Sequence, residues 1–228
     1  MAQQFDAIHR ALRYVERDHH SLQLAPSLPK LMQLLILEQF DAPINYFPNF
    51  LSKQEADWLF TQSQRLTWQQ NQITMLGKVM PVPRLETIYG DSGCDYLYSH
   101  SVLLQPKPWT EWLLWLKEKI ETTTQHRYHI TVGNRYRSGR DSISWHSDDE
   151  PTMGKEPAIS SVSLGATRRF SLKSRQDSSI QHFDLEHGSL LLMRPGCQST
   201  HLHQVPKSTK VTGERINWTF RPHINGKS

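Results

Sequence analysis

The sequence predicts an α+β protein that is mainly β: a C-terminal β-sandwich or barrel, two helices packed outside it, and an N-terminal extension. Two observations predict this. From about Tyr128 onward, short runs such as "YHITVGNRY", "SSVSLG", "RRFSLKS", "GSLLLMRP" and "RINWTFRPH" alternate with Gly, Pro, Ser and Asp. That is the spacing of strands and turns. Ahead of them lie two segments whose apolar residues recur with helical period.

Taken in order, residues 1–40 mix polar and apolar positions without strong punctuation and read as an extension or short helices. In "NYFPNFLSKQEADWLFTQS", Ser52 with Glu55 three positions on forms a capping box, and Ala56, Leu59 and Phe60 follow at helical spacing. A second helix is predicted over 110–122, where Trp112, Leu113, Leu116 and Ile120 make an apolar stripe. The strand-rich half follows.

At 228 residues the chain suits one domain with a terminal extension. The longest apolar stretch, around Leu31–Leu37, is far shorter than a bilayer span, so no membrane association is expected. The start, MAQQFDAIHR, lacks a basic segment followed by an apolar run, which makes a cytoplasmic location the default. Two cysteines, Cys94 and Cys197, form no CxxC pair, so any metal must be held by His and carboxylates. Net charge is +4, weak evidence by itself for an anionic partner.

The 12 histidines carry more information. Two His and one carboxylate make the facial triad that holds Fe(II), and His-x-Asp in extended backbone sends both side chains to one face. The chain contains two such pairs, His146–Asp148 and His182–Asp184. A β-barrel site needs its third ligand from another strand, with several strands between. The stretch from 146 to 203 has room for them, whereas the stretch from 182 to 203 holds little more than a hairpin. His146–Asp148 is therefore the preferred pair, and spacing leaves the third ligand open between His201 and His203.

In "ERINWTFRP", Ile216, Trp218 and Phe220 share one face of a strand, and Arg215, Asn217, Thr219 and Arg221 the other. Two arginines inside a β-core are costly unless an anion pairs with them, and a dicarboxylate would do so. In an extended strand their Cα atoms lie roughly 20 Å apart. Arg215 is accordingly expected on the distal carboxylate, with Arg221 reaching in from the far end.

With these pieces together, the chain resembles the AlkB family of Fe(II)/2-oxoglutarate dioxygenases. The matching stretches are "NRYRSGRDSISWHSDDE" (134–150), "HGSLLLM" (187–193), "HLHQVP" (201–206) and "RINWTFR" (215–221), and the resemblance runs from about Asn45 to Ile224. It looks closest to the members that repair double-stranded DNA, through "TMLGKVMPVPRLETIYGDSG" and "SSVSLGATRRFSLKSR". Residues 1–40 find no match.

The resemblance implies a double-stranded β-helix (jelly-roll) core over 41–228, with 71–107 as a nucleotide-recognition lid. It implies His146, Asp148 and His203 as iron ligands, which selects His203 over His201. Asn134 and Tyr136, with Arg215, Asn217, Thr219 and Arg221, become the contacts to 2-oxoglutarate. Asp149 and Glu150 resemble the acids that read the exocyclic amino group of a damaged base. Tyr96, Tyr98 and Ser99 match the wall on which a flipped base stacks. Met75, Leu76 and Gly77 match the apolar finger that fills the gap in the duplex, Leu76 standing where some relatives carry an aromatic residue.

Lys78 and Arg84 near the finger, and Arg168, Arg169, Lys173 and Arg175 in "RRFSLKSR", are candidate phosphate contacts. The basic residues of that strand are expected to share an outward face around Phe170 and Leu172.

The implied activity is oxidative demethylation of bases such as 1-methyladenine and 3-methylcytosine in DNA. It consumes Fe(II)-bound O2 and 2-oxoglutarate, releases formaldehyde, succinate and CO2, and requires base flipping. The implied partner is alkylated DNA, double- or single-stranded, bound by a monomer that is cytoplasmic in a bacterium or nuclear in a eukaryote. The same chemistry on RNA or single strands is the alternative. A nucleic-acid binding module with a degenerate metal site is the non-enzymatic one, and the presence of every ligand argues against it.

Overall fold

The computed structural model describes residues 42–75, 78–98 and 102–226. Its centre is a pair of antiparallel sheets. The larger has six strands, in the order β1 (Ile44–Phe47), β12 (Ser189–Met193), β9 (Ile159–Gly165), β14 (Arg215–Arg221), β7 (Ile130–Tyr136), β4 (Leu85–Gly90). The smaller has four, in the order β11 (Ile180–Leu185), β10 (Arg168–Ser174), β13 (His201–Val205), β8 (Ile143–His146). Two ribbons, β2 (Gln72–Met75) with β3 (Lys78–Pro81) and β5 (Tyr96–Tyr98) with β6 (Val102–Leu104), complete the strands. Two antiparallel sheets built from non-consecutive strands are the jelly-roll arrangement expected of the chain.

The large sheet is covered on both faces, which explains why "SLLLM" and "RINWTFR" read as nearly unbroken buried runs. Alternate side chains serve different cores. Val162, Leu164, Leu190, Ile216, Trp218 and Phe220 point to the helices and join one cluster with Ala56, Leu59, Leu113, Leu116 and Ile120. Ile159, Leu191, Met193 and Tyr136 point the other way and meet Phe170, Leu172, Phe183, Leu185 and Val205 of the small sheet. Full burial of each such side chain contributes about 1.5–3 kcal/mol, so the two clusters together outweigh any single polar contact.

The helices form for local reasons and stay for tertiary ones. Helix α1 (Lys53–Gln64) starts at the expected capping box, with the Ser52 hydroxyl accepting from the Glu55 amide and the Glu55 carboxylate accepting from the Ser52 amide. Helix α2 (Glu111–Thr124) starts at Thr110, whose hydroxyl accepts from the Leu113 amide, and ends two residues later than the apolar stripe indicated. Its extra turn is held because the buried Glu121 carboxylate accepts from the Tyr128 amide and pairs with Lys117 and Arg127. Among the described residues, no helix is long and apolar enough to cross a membrane.

Trp218 sits where the sheet and both helices meet. Its indole Nε1 donates to the Ser63 hydroxyl of α1 at 2.9 Å, and the rings of Trp112, Trp68 and Tyr89 lie 5.5, 5.8 and 6.1 Å away. The residue directly opposite on β7 is Gly133. A Cβ there would lie 2.8 Å from Trp218 Cζ3 and 3.0 Å from Thr87 Cγ2, so glycine is required by the close approach of the indole.

The stretch 71–107, expected to act as a lid, is divided by this topology. Its outer parts form the two ribbons, while β4, between them, pairs with β7 along its whole length as the edge of the large sheet.

Gly133→Ala is expected to destabilise the fold by about 1–3 kcal/mol, because the indole has no space into which to retreat. A lowered urea midpoint with an unchanged slope is the expected measurement.

Candidate metal centre and its cavity

Between the two sheets opens a cavity of about 480 Å³. Its floor is the inward face of β14 with its neighbours: Asn134, Ser161, Arg215, Asn217, Thr219 and Arg221. One wall comes from β8 and β13 of the small sheet. Two larger surface hollows, of about 680 and 590 Å³, contain none of these groups.

His146 and His203 face each other because β8 and β13 pair with these two residues in register, which brings their ring centroids to 4.1 Å. Asp148 follows just beyond the end of β8. Its Oδ1 lies 3.8 Å from His146 Nε2 and its Oδ2 lies 3.8 Å from His203 Nε2. One donor atom from each of the three residues falls within 4.8 Å of the others.

Each ligand is oriented by a further contact. His146 Nδ1 donates to the Ser144 carbonyl at 2.8 Å, which leaves the Nε2 lone pair directed at the cluster. His203 stacks on Phe170, with centroids 5.4 Å apart and planes at 25°. The Asp148 amide donates to Gln198 Oε1 at 2.9 Å, and its carboxylate accepts from Arg221 Nη2, also at 2.9 Å.

Burial by itself would raise the Asp148 pKa, but Arg221, then His203, His146 and Arg84, hold it below the usual carboxylate range. Burial pushes both imidazoles down, His203 to about 3 with His146 adding to the effect. At neutral pH the cluster is therefore one carboxylate and two neutral imidazoles. That donor set, oxygen and nitrogen with no sulfur, suits a divalent iron. Fe(II) fits the residues present.

The other histidines are elsewhere. His201, which spacing left open, pairs Nδ1 with the Thr200 hydroxyl at 2.8 Å and lines a surface hollow. His182 is exposed and pairs with Ser171 at 2.9 Å, while Asp184, 66% exposed, faces Arg169. The second His-x-Asp pair is thus a surface feature of β11.

Arg215 has the character expected of an anion anchor. It is 1% exposed, and Nη2 donates to the Ser163 hydroxyl at 2.8 Å. Its Nε and Nη1 are buried without a hydrogen-bond partner. Burial lowers its pKa to about 10, so it stays cationic at neutral pH. A buried cation with two open donors fits one carboxylate bidentately. The same cavity is lined by the His146, Asp148 and His203 cluster and by this guanidinium, a set of groups that 2-oxoglutarate would fit.

Asn217 and Thr219 also line the cavity, but they satisfy each other. Thr219 Oγ1 donates to Asn217 Oδ1 at 2.9 Å, and the Asn217 amide donates to Ser161 Oγ at 2.6 Å. Arg221, expected to reach in from the far end, commits Nη2 to the Asp148 carboxylate. Asn134 accepts from Arg84 Nε at 2.8 Å, which turns its amide nitrogen away from that arginine. Tyr136 is 2% exposed and stands opposite Arg215.

Two of the cations expected on phosphate are not on the surface. Arg84 is 3% exposed and bonds Glu86 and Asn134. Arg168 is 1% exposed. Its position shares parity with Phe170 and Leu172, so strand alternation sends it inward with them, whereas Arg169 faces solvent. Lys78 and Arg175 are exposed, and Lys173 is half-buried. Arg175 donates to the Ser147 hydroxyl at 3.0 Å, between the first two metal ligands. Asp149 is exposed and Glu150 half-buried, and both line the cavity mouth. Leu76, Gly77 and Ser99 lie outside the described residues, as do the side chains of Met75, Tyr96 and Tyr98.

Sequence reasoning missed Glu86 and Gln198. Glu86 had a signal, two positions after Arg84 beside a strand of strong β-formers. Gln198 had none, because it comes from α3 (Cys197–Thr200), a single turn whose placement depends on β12 and β13.

The pattern of the 2OG-Fe(II) oxygenase superfamily matches residues 43–221. The chain is 36% identical over 186 residues to mouse "Alpha-ketoglutarate-dependent dioxygenase alkB homolog 3", covering 77% of this chain and 64% of that protein. It thus spans a little under two thirds of that relative's length. It is 33% identical over 181 residues to mouse "DNA oxidative demethylase ALKBH2", covering 74% of this chain and 75% of that one. Two solved structures share the fold. "The structure of OsALKBH1" matches with a TM-score of 0.54 at 16% identity, over 80% of this chain and 99% of that one. A 2OG-Fe(II) oxygenase family oxidoreductase from Burkholderia pseudomallei matches with a TM-score of 0.58 at 13% identity, over 90% and 95%.

After chelator treatment, the chain is expected to bind one Mn(II), used as a redox-quiet substitute for Fe(II). Free Mn(II) at a hundred times its Kd should raise the unfolding free energy by about 2.7 kcal/mol. Asp148→Asn and His203→Ala should abolish that gain in a calorimetric titration, and His182→Ala and His201→Ala should leave it intact.

Proposed function

Because the chain belongs to the AlkB family of the 2OG-Fe(II) oxygenase superfamily, we propose that it is an Fe(II)- and 2-oxoglutarate-dependent dioxygenase that removes N-alkyl groups from nucleobases in DNA. One observation carries the reading. The His146–Asp148–His203 cluster and the guanidinium of Arg215, with two buried nitrogens lacking partners, line a single cavity. The similarity to mouse DNA oxidative demethylase ALKBH2 supports DNA as the substrate.

When bound, Fe(II), 2-oxoglutarate and O2 supply the oxidation: the co-substrate becomes succinate and CO2, and one oxygen atom enters the N-alkyl C–H bond. The remaining tasks fall to the protein. His146, Asp148 and His203 would hold the metal, and the cavity they line would admit the co-substrate. Arg221 keeps the Asp148 carboxylate ionised and oriented. Arg215 takes the distal carboxylate of 2-oxoglutarate, with Tyr136 beside it. Phe170 and the buried wall around it exclude water from the face behind His203.

The hydroxylated N-methyl group then leaves as formaldehyde, and the ring nitrogen keeps the electron pair. Asp149 and Glu150, at the mouth beside Asp148, accept from the exocyclic amino group of 1-methyladenine or 3-methylcytosine. A target nitrogen inside a base pair is reached by flipping the nucleotide out, at a cost of a few kcal/mol that is least for a damaged pair. Lys78, Lys173 and Arg175 remain as cations for the phosphate backbone.

Purified chain with Fe(II), ascorbate and 2-oxoglutarate is expected to release formaldehyde and succinate from 3-methylcytosine duplex and to stall without 2-oxoglutarate. Absence of succinate beside methylated DNA would sink the reading, and a clear preference for methylated RNA would move the substrate. Arg215→Met should raise the KM for 2-oxoglutarate by roughly 10–100-fold, the loss of a bidentate charge-assisted pair. His182→Ala should leave turnover unchanged.

A further inference from the structure

Arg168 is one of the largest fully buried side chains of the fold, and the metal and base contacts leave it without a role. We propose that Arg168 is a positioning residue for the co-substrate: it fixes Tyr136 and adds a second buried positive charge at the Arg215 end of the cavity. The inference rests on the 2-oxoglutarate reading above and extends it to a residue that does not itself line the cavity.

Both terminal nitrogens of the guanidinium donate to backbone carbonyls. Nη1 donates to the Ser138 carbonyl at 3.0 Å, and Nη2 donates to the carbonyls of Asp141 and Pro206, both at 2.8 Å. Those acceptors belong to two loops, the one after β7 and the one after β13. The loops touch each other at Gly139, whose amide donates to the Val211 carbonyl and whose carbonyl accepts from the Ser208 amide, both at 2.8 Å. A Cβ on Gly139 would lie 2.0 Å from the Ser208 carbonyl oxygen, so the contact allows no side chain there. Arg168 thus ties both loops to the small sheet.

Tyr136 is the last residue of β7, at the stem of the first loop. Its ring centroid lies 5.4 Å from Arg168 Cζ and 5.3 Å from Arg215 Cζ. One guanidinium comes from the small sheet and the other from the strand paired with β7, both within cation–π range. The tyrosine is therefore braced by both sheets, and Arg215 shares that brace.

Charge acts alongside this packing. Among the described residues, neither Arg168 nor Arg215 has a carboxylate partner. The acid beside Arg168, Asp141, is bound by Arg137 at 2.8 Å. Burial lowers the pKa of both arginines and Tyr136 offsets part of it in each, while the charge of Arg168 lowers that of Arg215 further. Asp141 offsets part of the Arg168 charge, and Arg215 has no such acid beside it, so the two buried cations still repel and an incoming carboxylate relieves that. A 2-oxo acid lacking the distal carboxylate does not. Arg168 therefore favours a dicarboxylate over a monocarboxylate without touching it.

The test uses the full chain loaded with Mn(II) and measures binding of 2-oxoglutarate and of 2-oxobutyrate by calorimetry, the latter at the concentrations its weaker binding needs. Arg168→Met is expected to weaken 2-oxoglutarate roughly tenfold and to leave Mn(II) and 2-oxobutyrate as in the wild type. Arg168→Lys keeps the charge, loses the carbonyl fork, and should fall between. In turnover, KM for 2-oxoglutarate should rise while kcat at saturating co-substrate holds. Should Arg168→Met not fold, the ratio of the two affinities in Arg168→Lys decides, and a lowered ratio is expected. A wild-type ratio in a folded variant would overturn the inference. So would parallel loss of Mn(II), 2-oxobutyrate and 2-oxoglutarate, the mark of a purely structural staple. Wild-type protein that binds Mn(II) but not 2-oxoglutarate would instead overturn the functional reading on which the inference stands.

Discussion

Strand β14 is buried on both faces, and that double burial is the constraint to which the rest of the molecule conforms. Its period of two sends Ile216, Trp218 and Phe220 into the helix-covered core and Arg215, Asn217, Thr219 and Arg221 into the cavity. A slip of one residue would exchange the two sets, placing arginines among tryptophans and exposing the cavity to apolar rings. Neither helix would then have a face to pack on. Gly133 opposite Trp218 and Tyr136 opposite Arg215 are fixed by the same register.

The cavity between the sheets is organised around buried charge. Three buried arginines in or beside it are already matched or tied: Arg221 to Asp148, Arg84 to Glu86, and Arg168 to three carbonyls. Arg215 alone among these combines deep burial with two nitrogens lacking partners. Isolated buried charges are expensive, so an arrangement of this kind persists where a ligand completes it. The metal cluster follows the same logic from the other sign, since Asp148 is kept ionised chiefly by Arg221 and the imidazoles are kept neutral by burial.

Much of this was legible in the chain. The first helix start could be read because a capping hydroxyl acts within its own turn, and the second helix could be read from its apolar stripe. The strand runs could be read because alternation is local. The pairing of His146 with Asp148 was preferred over His182 with Asp184 from the length of chain before His203 alone. Arg168 was misjudged for an instructive reason. Its charge argued for solvent, yet its parity with Phe170 and Leu172 argued for the interior, and the three carbonyls that make burial tolerable come from loops distant in sequence. Gln198 could not have been found, since nothing around it marks a contact to the Asp148 amide.

The sequence by itself determined the elements, the two faces of β14 and the His-x-Asp spacing, because each is set by the dihedral geometry of one continuous segment. Spacing left the third histidine open until the family resemblance selected His203; only the tertiary structure brought it against His146, and only it decided which arginine keeps open donors and which cations are surface groups. Those outcomes depend on pairing between strands far apart in the chain, β8 with β13 and β7 with β14, and on the burial that this pairing imposes. A side chain's spacing is written locally; its partner and its solvent are not.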